Sequence, residues 1–439
     1  MSYATHVKSV LDGLIDDFSL RKSNYCNNPE KDFTRNRKLD FKSMVKLLIS
    51  MEGGTINSEL LSFSGYDADA AMASAFIQQR HKLKEELFAD LFYEFNNAFL
   101  YANTFMGYRL IACDGSDLTI YNNPHDATTY YQTSANRSGY NMMHLDACYD
   151  LCNRRYTDLI ISPGQSFNEP GAMTTMMDRY TGPRDTIFIA DRGYESYNIF
   201  AHAIENGFKF LIRVKDINST GMLKGYIKEL PKAEEFDVDI ERMLTRGWTK
   251  EHISQPHIFK LIPTAGTFDY LKNTTDLYKM NFRVVRFAIS DDCYECIITN
   301  LPRDKFTPET VKKIYQMRWG IETSFRELKY AIGLTSFHSR TVKFIRQEVY
   351  ARIIMYNFCE LITTHTIVEK TDCKYEYHLN YTMAIILCRK HLRQHMNEPP
   401  LEIEKLLLRY IQPVRPGRKD PRKVIKNQPA VSFVYRVAA

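Results

Sequence analysis

The hydrophobic period of the chain changes near residue 106, and this change constrains the fold more than any other feature. Before it, apolar residues recur at helical spacing, as in Phe41, Met44 and Leu48 after Asp40, a residue suited to capping a helix. Beyond it, apolar or alternating runs bounded by turn residues predict strands, beginning with 108–116. The pattern then reads strand, helix and strand up to residue 215. Together these segments predict a mixed α/β fold.

The composition is that of an ordinary globular protein. The 439 residues include 44% hydrophobic and 25% charged residues, which excludes wholesale disorder and fibrous repeats. No apolar run reaches the length of a membrane span, and the N-terminal residues mix acidic with apolar side chains, unlike a signal peptide. We therefore expect a cytoplasmic protein with no membrane partner.

The nine cysteines follow no spacing of a secreted disulfide scaffold, so we expect reduced and mostly buried thiols. Cys293 and Cys296 do have the spacing of a metal clip. They lie in a strand-like run, however, and no second cysteine pair or histidine pair accompanies them. This context disfavours a zinc site.

The net charge of +6 is mild for this length, so the positions of the basic residues matter more than their sum. They concentrate at 35–46, 213–215, 318–329 and 415–423. The first cluster leads into a short predicted helix, and a glycine turn joins that helix to another at Ile56–Phe63. Such a pair suits a helix-turn-helix with phosphate-contacting residues, and a solvated helix face explains the same charges. The last cluster is interrupted by prolines and predicts an extended arm.

The helix that begins at Thr307 carries a polar stripe beside its core stripe. Thr307 can cap it and Pro308 suits its first position. At about 100° per residue, the apolar residues from Ile314 to Leu328 fall on one side of this helix. The usual interpretation of neighbouring mixed charges is an exposed face with i,i+4 pairs. The stripe borders the core, however, and comprises Tyr315, Arg318, Glu322, Arg326 and Lys329, with Trp319 at its flank.

Two aspartates stand at predicted strand ends and are candidate partners for that stripe. Asp114 precedes Gly115, and Asp191 comes two residues before Gly193. A strand end holds a carboxylate on a rigid sheet edge, and the glycine lets a phosphate or metal approach the backbone. Either aspartate alone is more often a turn former or a helix cap. Asp117 follows the turn and is the second choice beside Asp114.

The stripe carries a family resemblance. Tyr315, Arg318, Glu322 and Lys329 reproduce the spacing of the Tyr-Arg-Glu-Lys signature. This motif resembles that of bacterial insertion-sequence transposases of the DDE type, the insertion-sequence-four family. In the same order along the chain, Asp114-Gly-Ser and Asp191-Arg-Gly-Tyr stand where that family has its two aspartates. The resemblance covers about residues 106–345.

The resemblance implies a ribonuclease-H-like catalytic core in which three carboxylates hold two divalent ions, Mg²⁺ with Mn²⁺ as a substitute. Those residues would be Asp114, Asp191 and Glu322. It further implies phosphate contacts from Tyr315, Arg318, Lys329 and Arg213, and an auxiliary backbone contact from Arg326. Trp319 would stack on an extruded base or pack beside the core, and the sequence leaves both alternatives open.

The implied function is cut-and-paste transposition. The partners would be double-stranded DNA with terminal inverted repeats and target DNA, bound by a homodimer in a synaptic complex, with excision through a hairpin. The alternatives are a catalytically idle DNA-binding descendant and a ribonuclease-H-like nuclease without joining activity.

The segments predicted from the patterns are a helical N-terminal DNA-binding region (1–105), two parts of the core (106–215 and 301–365), a β-rich insertion (216–300) and a helical C-terminal region with a basic tail (366–439).

Overall fold

The computed structural model describes residues 2–132, 139–290, 293–366, 368, 375–394, 398–399 and 401–414. The centre of this part of the chain is one mixed sheet of ten strands, and a separate pair of strands follows it. The strands are β1 (Arg109–Ile120), β2 (Tyr130–Tyr131), β3 (Tyr140–Asp150), β4 (Arg155–Pro163), β5 (Thr186–Ala190), β6 (Lys209–Val214), β7 (Phe236–Thr245), β8 (Phe259–Leu261), β9 (Leu277–Ser290), β10 (Cys293–Thr299), β11 (Tyr377–Leu379) and β12 (Ile411–Pro413).

Five strands form the ribonuclease-H-like core. β1 pairs antiparallel with β3, and β3 pairs antiparallel with β4. On its other side β1 pairs parallel with β5, which pairs parallel with β6. The resulting order, three antiparallel strands followed by two parallel ones, confirms the predicted ribonuclease-H-like fold. Helices cover the connection between the parallel strands, as parallel pairing requires.

The segment between β6 and the second part of the core extends the same sheet. β10 pairs antiparallel with β6, and β9, β7 and β8 continue the sheet beyond it. The β-rich character predicted for 216–300 is therefore present as strands joined edge to edge with the core. Hydrophobic alternation predicts a strand but not its partner, because pairing depends on distant residues.

The helices lie on both faces of the sheet. α11 is buried over most of its length and packs against α1, α2, α5, α12 and β4, while α6 and α7 pack together on the opposite face. None of the helices in the described ranges is both long and apolar enough to span a bilayer. The helices are α1 (Tyr3–Leu20), α2 (Phe41–Ser50), α3 (Ile56–Phe63), α4 (Ala73–Arg80), α5 (Glu86–Asn97), α6 (Glu169–Asp178), α7 (Tyr197–Glu205), α8 (Lys250–Ser254), α9 (Pro308–Met317), α10 (Trp319–Arg326), α11 (Val342–His365), α12 (Tyr381–Arg393) and α13 (Ile403–Arg409).

The helix predicted to start at Thr307 is divided in the structure. Thr307 accepts a hydrogen bond from the backbone N–H of Thr310, which caps α9 as expected. α9 ends at Met317, Arg318 joins it to α10, and a π-helical turn at Glu327–Ala331 follows. The predicted phase still holds across the joint, because Arg318 keeps right-handed helical backbone angles.

Candidate active site

Asp114 and Asp191 come from neighbouring parallel strands. Ala112 of β1 pairs with Ile189 of β5, and each aspartate lies two residues further along its strand direction. Because side chains alternate along a strand, both aspartates continue the face of the sheet that carries Ala112 and Ile189. That face is covered by α9 and α10.

Glu322 lies on α10, which packs across the face of the sheet that carries the two aspartates. The part of the sheet where Asp114 and Asp191 lie is called the carboxylate edge, or simply this edge. Its neighbours Ile321 and Phe325 are buried in the core, so α10 is fixed against the sheet with Glu322 on the side of β1. Arg318 Nη2 donates a hydrogen bond of 2.6 Å to Glu322 Oε1. The other terminal nitrogen, Nη1, lies 3.9 Å from Asp114 Oδ2. The guanidinium therefore links two of the three predicted carboxylates.

The pKa of Asp114 reflects both its burial and the charges of the side chains around it. The pKa of Asp114 is raised to about 7, chiefly by burial and in smaller part by the charges of Asp191 and Glu322, against the opposing effects of Arg318 and the Gly115 backbone N–H. Asp191 is held differently, because it accepts a hydrogen bond of 2.7 Å from the backbone N–H of Gly193. Arg318 contacts two of the three carboxylates, and the excess of oxygen donors over nearby cationic groups fits a divalent cation such as Mg²⁺ or Mn²⁺.

The phenol and the guanidinium of the stripe are buried rather than exposed. Tyr315 is 3% exposed and belongs to the core under β5 and β6. Its hydroxyl accepts a long hydrogen bond of 3.5 Å from Arg213 of β6, which also lies 3.4 Å from Glu295. Arg318 is likewise 3% exposed. Burial alone would lower the pKa of Arg318, but Tyr315, Glu322 and Asp114 raise it above its ordinary value.

The remaining residues of the stripe lie nearer the surface. Lys329, in the π-helical turn, is half-buried; burial lowers its pKa, against the opposing charges of Asp117 and Asp114. Arg326 is exposed, and so is Trp319, whose side chain is 57% exposed. This exposure excludes core packing for Trp319, the second alternative that the sequence left open. The Trp319 ring centre lies 5.3 Å from the Arg318 guanidinium.

Two other candidates from the sequence are not part of this edge. Asp117 accepts a 2.8 Å hydrogen bond from Nδ1 of His144 and is mostly exposed. Cys293 is exposed, whereas Cys296 is buried and its thiol donates to Asp216. The two cysteines do not converge, because residues three apart on a strand point to opposite faces.

A second group of metal-ligating side chains was missed by the sequence reasoning. Within the described residues, His144, Asp146 and Glu169 form the one such group whose ligand atoms all lie within 4.8 Å of each other. The carboxylates of Asp114, Asp191 and Glu322 are more widely spaced. The available signal was His144-x-Asp146 in a predicted strand, which puts both side chains on one face.

The fold is ribonuclease-H-like, and three carboxylates lie at this edge of the sheet. Asp114 comes from β1, Asp191 from the end of β5 and Glu322 from α10, which packs across the sheet. Residues 106–358 match the family described as transposase DDE domain, more than half of the chain, and the chain belongs to this family. Its signature is that of an insertion-sequence DDE transposase, as the sequence predicted. Members of this family generally use divalent metal ions.

Similar proteins come from insertion sequences of Escherichia coli. The chain is 23% identical over 192 residues to the transposase for insertion sequence element IS421, covering 40% of this chain and 51% of that protein. The InsL protein of element IS186A of strain K12 matches with the same identity and coverage. The chain thus spans about half the length of the curated relatives it matches. A cryo-EM structure of the piggyBac transposase synaptic complex with hairpin DNA aligns with a TM-score of 0.47 and 8% identity, covering 96% of this chain and 88% of that one.

Proposed function

We propose that the chain is a DNA transposase that cuts and rejoins DNA at the inverted-repeat ends of an insertion sequence. The observation that carries this proposal is the proximity of the three carboxylates: the buried guanidinium of Arg318 contacts Asp114 and Glu322, and the charges of Asp191 and Glu322 both raise the pKa of Asp114. The family of the chain supports the reaction class. Excision by cut-and-paste through a hairpin is the finer part of the proposal and rests on the sequence resemblance.

Asp114, Asp191 and Glu322 would hold two divalent ions, Mg²⁺ with Mn²⁺ as a substitute. Oxygen donors suit both cations, and the number of two ions rests on the sequence resemblance. Such a pair supplies activation of the attacking oxygen and stabilisation of the leaving 3′ oxygen in an in-line displacement. Water attack would give strand cleavage, and attack by a freed 3′-hydroxyl would give strand transfer at the same residues.

The cationic side chains would hold the DNA phosphate beside these carboxylates. Arg318 presents a forked donor, and Lys329 contributes a point charge from the π-helical turn that follows α10. Arg213 stands on β6 next to Tyr315, so their contact would orient the guanidinium toward the same edge. Arg326 and Trp319 are exposed beyond them and would meet the DNA backbone and an extruded base.

The proposed substrate is double-stranded DNA carrying terminal inverted repeats, with target DNA as the second partner. Two element ends must be held together for joining, so we propose a homodimer in the synaptic complex. The N-terminal helices and the basic residues 415–423 would contribute to end recognition; the latter lie outside the described residues. The protein would act in the bacterial cytoplasm, where the nucleoid supplies its substrate.

The test is Mg²⁺-dependent nicking of DNA bearing the element ends. Glu322→Gln removes one oxygen charge at nearly constant shape and should abolish nicking while DNA binding persists. Glu309→Gln is the matched control, because Glu309 is exposed at the start of α9, and it should retain activity. Nicking retained in Glu322→Gln would overturn the assignment. A strand-transfer assay with pre-cut ends separates a transposase from a nuclease that cannot join.

A further inference from the structure

The group formed by His144, Asp146 and Glu169 lies on the other face of the sheet from Asp114. His144 and Asp146 share the face of β3 that carries Cys148, which belongs to the same hydrophobic cluster as the buried residues of α6. Glu169 is in the first turn of α6. One ligand atom from each residue falls within 4.8 Å of the others. The group therefore joins β3 to α6, and its Glu169 comes close to Asp191, because a Cβ at Gly193 would lie 3.6 Å from Glu169 Oε2 and 3.1 Å from Asp191 Oδ1.

Two of these side chains are buried with atoms that no described residue satisfies. Asp146 is 1% exposed, and neither of its carboxylate oxygens has a hydrogen-bond partner in the described part of the chain. His144 is 3% exposed and its Nε2 is also unpartnered there. Nε2 lies 3.4 Å from Asp146 Oδ1 and 3.3 Å from Glu169 Oε1, and neither contact has hydrogen-bond geometry. Leaving such groups unsatisfied is costly, which points to a ligand between them.

The imidazole is oriented as a metal ligand would be. Its Nδ1 lies 2.8 Å from Asp117 Oδ1, and the ring stacks on Phe167 with centres 4.1 Å apart. A carboxylate at one ring nitrogen fixes the tautomer and aims the other nitrogen at a metal. With Nδ1 donating to Asp117, the lone pair of Nε2 points toward Asp146 and Glu169.

Gly115 of β1 leaves the space that this group occupies. A Cβ at Gly115 would lie 2.5 Å from His144 Nε2 and would also overlap the Glu169 carboxylate. The charge of the group is also unbalanced. Three carboxyl groups, those of Asp117, Asp146 and Glu169, lie within 3.4 Å of the single imidazole of His144. A divalent cation would compensate this excess of acidic groups.

We propose that His144, Asp146 and Glu169 bind one divalent transition-metal cation that fastens α6 to β3. One imidazole nitrogen and two carboxylates favour Mn²⁺ or Zn²⁺ over Mg²⁺. Glu169 is 31% exposed at its side chain and gives the ion a route from solvent. A proton on Nε2 would compete with the metal ion for this nitrogen. Burial lowers the pKa of His144, but the three carboxylates outweigh this effect, and the pKa is about 11.

His202 provides an internal comparison. It also stands between two carboxylates, but its Nδ1 lies 2.8 Å from Asp178 and its Nε2 lies 2.9 Å from Asp269, both in hydrogen-bond geometry. Both nitrogens of His202 are thus occupied, whereas His144 keeps one directed into its cluster. The contrast gives a matched control for the experiment.

The probe is Mn²⁺ bound to the full chain at pH 7.5, followed by pulsed electron paramagnetic resonance. Nitrogen-14 modulation reports an imidazole ligand, and the carboxylates of Asp114, Asp191 and Glu322 contribute none. We expect modulation in the wild type and in Glu322→Gln and His202→Gln, and none in His144→Gln. Wild-type protein without modulation at saturating Mn²⁺, or modulation that persists in His144→Gln, would overturn the proposal in favour of a protonated imidazole.

Glu169→Gln is a second variant that tests the same site if the buried His144→Gln variant does not fold. Because Glu169 is partly exposed, we expect this variant to fold and to bind the nitrogen-coordinated Mn²⁺ at least tenfold more weakly. Unchanged affinity in Glu169→Gln would contradict the proposal. These outcomes do not depend on nicking, so failure of the proposed function and failure of this cation site are distinguishable.

Discussion

Arg318 Nη2 donates to Glu322 Oε1 over 2.6 Å, and the Arg318 side chain is 4% exposed. The residue proposed to hold a phosphate is thus already hydrogen-bonded to a residue proposed to hold a metal. An ion pair of this kind positions the carboxylate before any cation or DNA arrives. Because the guanidinium also lies near Asp114, one side chain orders both carboxylates.

Arg318→Lys tests this bridging arrangement. A lysine ammonium is a point charge without the forked geometry, so Glu322 and Asp114 lose their shared partner. We expect Mg²⁺-dependent nicking to fall roughly 100-fold, as for a small misplacement of reacting groups. Arg326→Lys is the matched control: it keeps the charge at an exposed site and should stay within about twofold of wild type. Equal activities of the two variants would refute the bridging role.

A buried ion network joins the N-terminal helices to α11. Glu348 accepts hydrogen bonds from Arg80 at 2.8 Å and from Arg352 at 3.0 Å. Burial would raise the pKa of Glu348, but these arginines and His338 hold it well below its usual range. Glu348→Gln leaves buried guanidinium groups without a counter-ion and should lower the free energy of unfolding by about 3–5 kcal/mol.

Chemical denaturation of the full chain measures this loss. The control is Glu402→Gln, since Glu402 pairs with Lys405 at the surface with 67% of its side chain exposed. An exposed pair of this type contributes at most about 1 kcal/mol. Similar losses in both variants would mean that the buried network does not fasten α4 to α11.

Local patterns predicted much of the proposed site, and long-range packing decided the rest. Asp191 was identified because a strand end and its glycine are local features. The strand end predicted at Asp114 was wrong, because β1 continues to Ile120 through its pairing with β3 and only its pairing with β5 stops at Ala112. The position of Glu322 followed from helical phase. The burial of Tyr315 and Arg318 was missed, because the strands that cover them are paired by residues far away in the chain. The grouping of His144 and Glu169 depends on docking of α6, which no local period reports.

Glu360 should make stability depend on pH. Burial raises its pKa from 4.5 to about 7, against the opposing effect of Arg154. Between these values the folded chain binds more protons than the unfolded chain, so its free energy of unfolding falls as pH rises. The full effect is about 3 kcal/mol, present below the unfolded pKa and lost above the folded one.

Glu360→Gln should therefore flatten the stability profile between pH 5 and pH 8 by about 2–3 kcal/mol relative to wild type. Glu241→Gln is the control, since Glu241 is 61% exposed and should leave the profile unchanged. Urea unfolding at both pH values measures the difference. A wild-type pH dependence in Glu360→Gln would show that this carboxyl titrates normally.

The basic residues before and within α2 should contribute unequally to DNA binding. Lys42 pairs with Asp16 at 2.7 Å and Lys46 with Asp12 at 2.8 Å, so a phosphate would have to displace an acid from α1. Arg35 and Arg37 are exposed. The double change Arg35→Ala and Arg37→Ala should weaken binding more than Lys42→Ala with Lys46→Ala. Fluorescence anisotropy with end DNA ranks the two pairs, and the reverse order would show that the ion pairs with α1 do not keep Lys42 and Lys46 from binding DNA.

Removing residues 415–439 tests the basic arm without cutting the described structure. β12 ends at Pro413 and pairs with β11, so a deletion starting at 415 leaves this strand pair intact. If five basic residues between 415 and 423 touch phosphates, the slope of log affinity against log salt should become shallower by about 4 to 5. Binding to end DNA should weaken most at low salt, where released counterions contribute most. Titrations at several salt concentrations measure the slope, and an unchanged slope would exclude phosphate contacts by the arm even if affinity falls.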